Sequence, residues 1–161
     1  FEIPANTIND IKVSSTKIRT AIVQNQFDLA IELLGHPYQL SGVVVRGKQL
    51  GRTIGFPTAN IEVADKDKLI PNDGIYAATA TVRHQKFHGM LYIGHRPTLD
   101  DGEVRTIEVN LFDFEESIYG EEITVEINAF IRPDSKLNSL DALKQQIARD
   151  KLAVIEKFQL Q

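Results

Sequence analysis

Cysteine is absent from all 161 residues, which removes disulfides, Cys-based zinc sites and thiol nucleophiles together; a reducing compartment is thereby permitted. A basic excess is missing too. Eighteen Lys and Arg stand against 22 Asp and Glu, giving a formal net charge of -4 and a pI of about 5.6. A nucleic-acid binder usually shows the opposite balance or a basic stripe. No apolar run approaches the length that spans a bilayer, and no charged-then-apolar leader opens the sequence. His36, His84, His88 and His95 fall at no zinc-ligand spacing; His84 and His88 flank a turn and are expected to be solvated. There is no internal repeat and no low-complexity tract. What remains is 42% hydrophobic and 25% charged, an ordinary globular composition, at a length that suits one domain with a real core. The sequence opens at Phe1 rather than Met, so a fragment or processed product is expected.

Residues 1–13 show no clear period. Ser14, Ser15 and Thr16 can cap a helix, behind which Ile18, Ala21 and Ile22 fall at helical spacing. A second short helix fits Phe27 to Leu34, with Leu29, Ala30, Leu33 and Leu34 as its apolar stripe, stopped by Gly35 and Pro37. These first forty residues read as helical and separable from the rest. From Gln39 the character changes. Strand candidates run over Leu40–Val45, Tyr76–Arg83, Lys86–Ile93, Arg105–Phe114 and Glu122–Ile131, several with alternating apolar and polar side chains. His84 and Gln85 make a short connection between two of them, as in a hairpin. Consecutive strands without intervening helices predict an antiparallel sheet, closed into a small barrel. After Arg132-Pro133 the helical period returns. Asn138 or Ser139 can cap, and Leu140, Leu143, Ile147, Val154 and Phe158 form a stripe interrupted at Asp150 and Lys151. The expected fold is mainly β: a closed, Greek-key-like antiparallel barrel with a C-terminal helix, preceded by a short helical segment.

The most informative stretch runs from Gly47 to Asn60. Gly47, Gly51 and Gly55 recur at every fourth position, interleaved with Lys48 and Arg52. Glycine lets a backbone approach a ligand closely, successive N–H groups can line an anion-binding concavity, and two cations suit a polyphosphate. A surface hairpin with solvated cations fits the same residues. Gly42 to Lys48 matches most of a P-loop, but Gln49 stands where the magnesium-binding Ser or Thr belongs, and the intervening valines are strand-like. Pro57-Thr58-Ala59-Asn60 follows. In an extended segment Thr58 and Asn60 face the same way, and both offer neutral oxygen ligands of the kind magnesium takes when phosphates and water supply the rest. A turn satisfied by local backbone is the other reading. Further on, Ile107, Val109 and Leu111 share one strand face, and Glu108 and Asn110 the other. A carboxylate on a rigid strand can accept a proton from an alcohol nucleophile. An exposed strand glutamate looks the same, and spacing alone does not rank Glu108 above Asp113, Glu115, Glu116, Glu121 or Glu122.

The glycine-rich loop followed by Pro57-Thr58-Ala59-Asn60 closely resembles the signature of the riboflavin kinase family. The resemblance implies that Thr58 and Asn60 hold the magnesium of Mg-ATP. It also implies that Gly47, Lys48, Gly51, Arg52 and Gly55 close over the phosphates. A strand glutamate followed by an aromatic and a Tyr-Gly-Glu segment carries the base in that family; here this reads Glu108 to Phe114, then Tyr119-Gly120-Glu121, so Glu108 resembles the general base for the riboflavin hydroxyl. Gly94-His95-Arg96-Pro97-Thr98 resembles a further family segment, with Tyr92 in place of its usual asparagine. Arg132 closes the last strand as a family arginine does, to steady flavin or phosphate or to cap the sheet. Val13 to Arg19 resembles the closing motif of the nucleotidyltransferase module of bifunctional bacterial riboflavin kinase/FAD synthetases. Leu33 to Tyr38 resembles the junction after it. The implied division is 1–38 for the tail of that module plus linker and 39–161 for the kinase barrel.

The implied reaction is transfer of the ATP γ-phosphate to the riboflavin 5′-hydroxyl, giving FMN and ADP in a cytoplasmic enzyme, with neither nucleic acid nor membrane as partner. The nucleotidyltransferase signature His-x-Gly-His does not occur. The chain is therefore expected to be the C-terminal part of a longer bifunctional protein, unable alone to convert FMN to FAD. Two other classes compete: a non-catalytic flavin- or nucleotide-binding barrel, which would not need Glu108, and an oligonucleotide-binding barrel, opposed by the negative net charge.

Overall fold

A computed structural model describes residues 15–47, 57–97 and 103–159. Their elements are helix α1 (residues 15–23), helix α2 (Phe27–Leu34), strands β1 (Tyr38–Val45), β2 (Ala59–Val63), β3 (Gly74–Val82), β4 (Gln85–Pro97), β5 (Glu103–Leu111) and β6 (Glu122–Pro133), and helix α3 (Leu140–Gln159). The strands close into an antiparallel barrel in the order β1-β2-β5-β4-β3-β6. Strands β3, β4 and β5 form a meander, and β2 lies beside β5 rather than beside its sequence neighbour β3, which is Greek-key connectivity. Strand β2 is missing from the strands expected from the sequence. Its alternation of Ala59, Ile61 and Val63 with Asn60 and Glu62 is only five residues long.

Alternation builds the interior. Leu40, Val44, Tyr76, Ala78, Ala80, Leu91, Val109, Val125 and Ile127 are almost fully buried in one cluster. Strand β3 is buried on both faces for its first five residues, because its outer side chains Ile75 and Ala77 meet α3 at Val154. The β3–β4 hairpin turns at Arg83 and His84, one residue earlier than the sequence suggested: Val82 pairs with Gln85, and both turn residues have positive φ (52° and 63°), as a two-residue type I′ turn requires.

Helix α2 has the expected bounds. Gly35 caps it in the left-handed region (φ 81°) and donates its N–H to the Ile31 carbonyl at 2.8 Å. The buried face differs from the expected stripe: Phe27 and Ala30 are buried, whereas Leu29 is exposed. Ala21, Ile22, Phe27 and Ala30 belong to the same apolar cluster as the barrel interior. Phe27 packs edge-on against Tyr76, which also meets Phe130. The Tyr76 hydroxyl donates to the Asn72 carbonyl at 2.5 Å, and the Asn72 amide donates to the Val23 carbonyl. The lead-in helices, separable in composition, are thus packed onto the barrel.

Ser139 caps α3, its hydroxyl accepting the Ala142 N–H at 3.0 Å. Ile147, Val154 and Phe158 carry the apolar contact, while Leu140 is exposed. The interruption at Asp150 has a physical reason. Asp150 is 2% exposed and receives a two-pronged bond from Arg132 (2.7 and 2.8 Å) and a third from Gln146 (3.0 Å). His88 is exposed, as expected, and its ring also meets that of Phe158, with centroids 4.0 Å apart and the planes tilted by 32°.

Two outcomes follow. Asp150→Ala leaves the Arg132 guanidinium without its carboxylate and should cost about 3 kcal/mol, read as a lowered urea midpoint. Burial pushes the phenols of Tyr76, Tyr92 and Tyr38 above their ordinary value of 10.0. The unfolded chain releases these protons at lower pH than the folded one, so stability should fall as pH rises above about 10. Thermal midpoints and phenolate absorbance across that range test this.

Candidate active site

Strands β2 and β5 touch along only two residue pairs, Ala59–Val109 and Asn60–Glu108. Beyond them β2 stays with β1, and β5 stays with β4. Asn60 and Glu108 therefore sit at a narrow seam. Directly opposed residues project to the same side of a sheet, and the register continues the row outward: Val45 beside Asn60, Tyr92 beside Glu108, then Ile75 and Arg132. This is the outer face, because Ile107, Val109 and Leu111 point into the core. Arg132 is three strand spacings from Glu108, roughly 14 Å at about 4.8 Å per strand. Its guanidinium is engaged by Asp150, by the Pro133 carbonyl and by Ser135.

Three contacts fix the seam. Asn110, next after Glu108 on that face and 7% exposed, donates its amide N–H to the Pro57 carbonyl at 2.6 Å. This holds the residue immediately before Thr58. Gly47 packs against Asn60 so closely that a Cβ there would collide with the Asn60 amide; glycine at 47 leaves that amide its place. On the other side of Glu108, Tyr92 donates to Asp134 at 3.1 Å, its ring occupying the space a Gly94 side chain would fill. Burial, then the Asp134 charge and hydrogen bond, and then the Glu108 charge push the Tyr92 phenol well up, so the hydroxyl remains a donor.

The seam opens onto two clefts. One, of about 340 Å³, is lined by Arg46, Gly47, Asn60, Glu62, Arg105 and Thr106 among others. The second, of about 320 Å³, is lined by Pro57, Thr58 and Ala59, by Phe114 with Glu115–Tyr119 of the β5–β6 connection, and by Val44, Val109 and Leu111. Asn60 thus lines the first cleft and Thr58 the second, while Glu108, paired opposite Asn60, is among the lining residues of neither. Lys48, Gly51, Arg52 and Gly55 lie outside the described residues. Among the described residues no three His, Asp or Glu side chains converge as a metal-binding group, and no helix is long and apolar enough to cross a membrane.

Thr58, Asn60 and Glu108 are candidates from the sequence, but the seam that brings them together is a product of strand pairing. The role of Asn110 as the tie to Pro57 is likewise not evident from the sequence. A polar residue beside Glu108 on an outward strand face was the available signal, but its acceptor is a backbone carbonyl 53 residues away.

A family model described as riboflavin kinase (flavokinase) matches residues 34–158. The bifunctional riboflavin kinase/FMN adenylyltransferase of Bacillus subtilis is 42% identical over 154 residues, covering 94% of this chain and 48% of that protein. A Streptococcus pneumoniae structure titled a macrolide-efflux protein superposes with a TM-score of 0.81 at 40% identity, over 87% of this chain and 45% of that one. The riboflavin kinase of Trypanosoma brucei superposes with a TM-score of 0.55 at 28% identity, over 76% and 80%. The chain spans about half the length of the curated relatives it matches. With the closed barrel, the Thr58/Asn60 segment and the opposed Glu108 in place, the chain belongs to the riboflavin kinase family.

Proposed function

We propose that this chain transfers the γ-phosphoryl group of ATP to the 5′-hydroxyl of riboflavin, with the β2–β5 seam as the reaction centre. The observation that carries the reading is the pairing of Asn60 with Glu108, which sets a carboxylate beside two neutral oxygen donors. That donor set fits magnesium, which prefers oxygen and takes most of its ligands from phosphates and water. Thr58 and Asn60 would hold the ion, which when bound neutralises phosphate charge. Lys48, Gly51, Arg52 and Gly55 are proposed to join Gly47 around the phosphates. The second cleft, lined by Thr58 and by Phe114, Ile118 and Tyr119, suits an aromatic base whose phosphates run toward the seam.

Glu108 is assigned the proton transfer. Its carboxylate takes the hydrogen of the 5′-hydroxyl as that oxygen attacks the γ-phosphorus in line; the bond to the bridging oxygen breaks and ADP leaves. Positioning and electrostatics carry most of the rate, as expected for phosphoryl transfer. Asn110 contributes by fixing Pro57 and so Thr58. Arg132 is proposed to act on the flavin side through α3, whose docking it anchors. The division into 1–38 and 39–161, a nucleotidyltransferase module preceding the kinase in the full protein, and a cytoplasmic location belong to the same proposal. A binding barrel without chemistry would have no use for a carboxylate opposite Asn60.

Glu108→Gln should lower turnover by about 10²- to 10⁴-fold while leaving ADP affinity, measured by calorimetry, nearly unchanged; undiminished turnover refutes the assignment. Asn110→Leu removes the bond to Pro57 and should lower kcat/KM for Mg-ATP about ten-fold, equivalent to about 1.4 kcal/mol, with the barrel still folded by circular dichroism.

A further inference from the structure

Arg83 occupies an unusual position for an arginine. It is the first residue of the β3–β4 turn, with φ at 52°, where glycine, asparagine or aspartate is the ordinary choice. Its side chain spans to a different part of the barrel. Nε bonds both Glu121 carboxylate oxygens (2.7 and 2.9 Å), and Nη2 bonds Glu121 again at 2.5 Å and the Ser117 carbonyl at 3.2 Å. Nη1 bonds Glu116 at 2.6 Å. The tips of Glu116 and Glu121 and the Ser117 backbone are thus gathered on one planar fork, the geometry that distinguishes arginine from lysine.

The gathered segment is a wall of the second cleft. Glu115, Glu116, Ser117, Ile118 and Tyr119 line it together with Pro57, Thr58 and Ala59. The ends of the connection are held in other ways. Phe112 donates its N–H to the His88 carbonyl and Gly120 to the Val44 carbonyl; Phe114 packs on Phe87 and Ile118 is buried. Glu116 and Ser117, exposed between these anchors, are held by Arg83. The same pairs neutralise two carboxylates near a cleft proposed to receive a polyphosphate. The Arg83 guanidinium accordingly holds the Glu121 carboxyl below the usual carboxylate range, chiefly through its hydrogen bond.

We infer that Arg83 is a positioning residue for the nucleotide: it clamps the β5–β6 connection as a wall of the cleft beside Thr58 and screens the acidic groups there. This rests on the assignment of that cleft to ATP. The clamp acts on nucleotide binding and not on the flavin.

The test is Arg83→Gly, which suits the positive φ and removes only the fork, with Arg83→Lys as the charge-preserving companion. Mg-ADP affinity is measured by calorimetry, and the KM values for ATP and riboflavin by FMN formation. The expected result for Arg83→Gly is a roughly three- to ten-fold weaker ADP affinity and a matching rise in KM for ATP. The riboflavin KM and the turnover at saturating ATP stay close to the parent's. Arg83→Lys falls between. Unchanged ADP affinity and ATP KM in Arg83→Gly overturn the clamp. Parallel worsening of both KM values with a lower melting temperature overturns it as well, since that is general loosening. A parent protein that binds ADP but forms no FMN defeats the kinase reading, while the ADP affinities still decide the clamp.

Discussion

Asn60 and Glu108 face each other across a strand contact two residue pairs wide, and the site depends on that narrowness. A longer β2–β5 ladder would close the barrel wall where the first cleft meets Asn60. With no ladder at all, the side-chain oxygens of Thr58 and Asn60 would lose their fixed place relative to the Glu108 carboxylate. The chain resolves this with side chains: Asn110 ties Pro57 to β5 where the ladder stops, and Gly47 leaves the Asn60 amide its place. Neither contact adds much to the core. Both restrict how the two halves of the site move relative to each other, which is where a phosphoryl-transfer enzyme gains most from its protein.

The rest of the barrel supports the seam at two removes. Helix α3 is fastened by an apolar stripe and by Asp150 gripping Arg132. That grip places a charge pair within an otherwise apolar contact and so fixes the helix register, at the cost of desolvating both partners. Beside the second cleft, the turn between β3 and β4 reaches the β5–β6 connection through Arg83. Two cation-carboxylate clasps thus brace the barrel, one largely buried and one exposed, the exposed one being the more sensitive to salt.

Much of this was legible in the sequence wherever the determining contacts are local. Helix α2 has its expected bounds because Gly35 ends it within the same turn, and α3 starts at Ser139 because the cap is three residues from its donor. Strand pairing is non-local, and the periods of the separate segments do not carry it. The two-residue seam, the Asn110 tie and the Arg132–Asp150 grip all join distant positions, so Asp150 read as a break in a stripe when it is the centre of one contact. Strand β2 escaped because its alternation is short and follows a proline. Thr58, Asn60 and Glu108 emerged as a set only through resemblance to the riboflavin kinase family; by spacing alone Glu108 could not be ranked above its acidic neighbours.

The most direct measurement is turnover of riboflavin and ATP by the purified chain, with flavins separated by chromatography, in magnesium and again with magnesium chelated. The account predicts FMN in the first condition and none in the second, with one ADP released per FMN formed. Bound riboflavin and bound ADP without FMN in magnesium would contradict it, reducing the seam to a binding site.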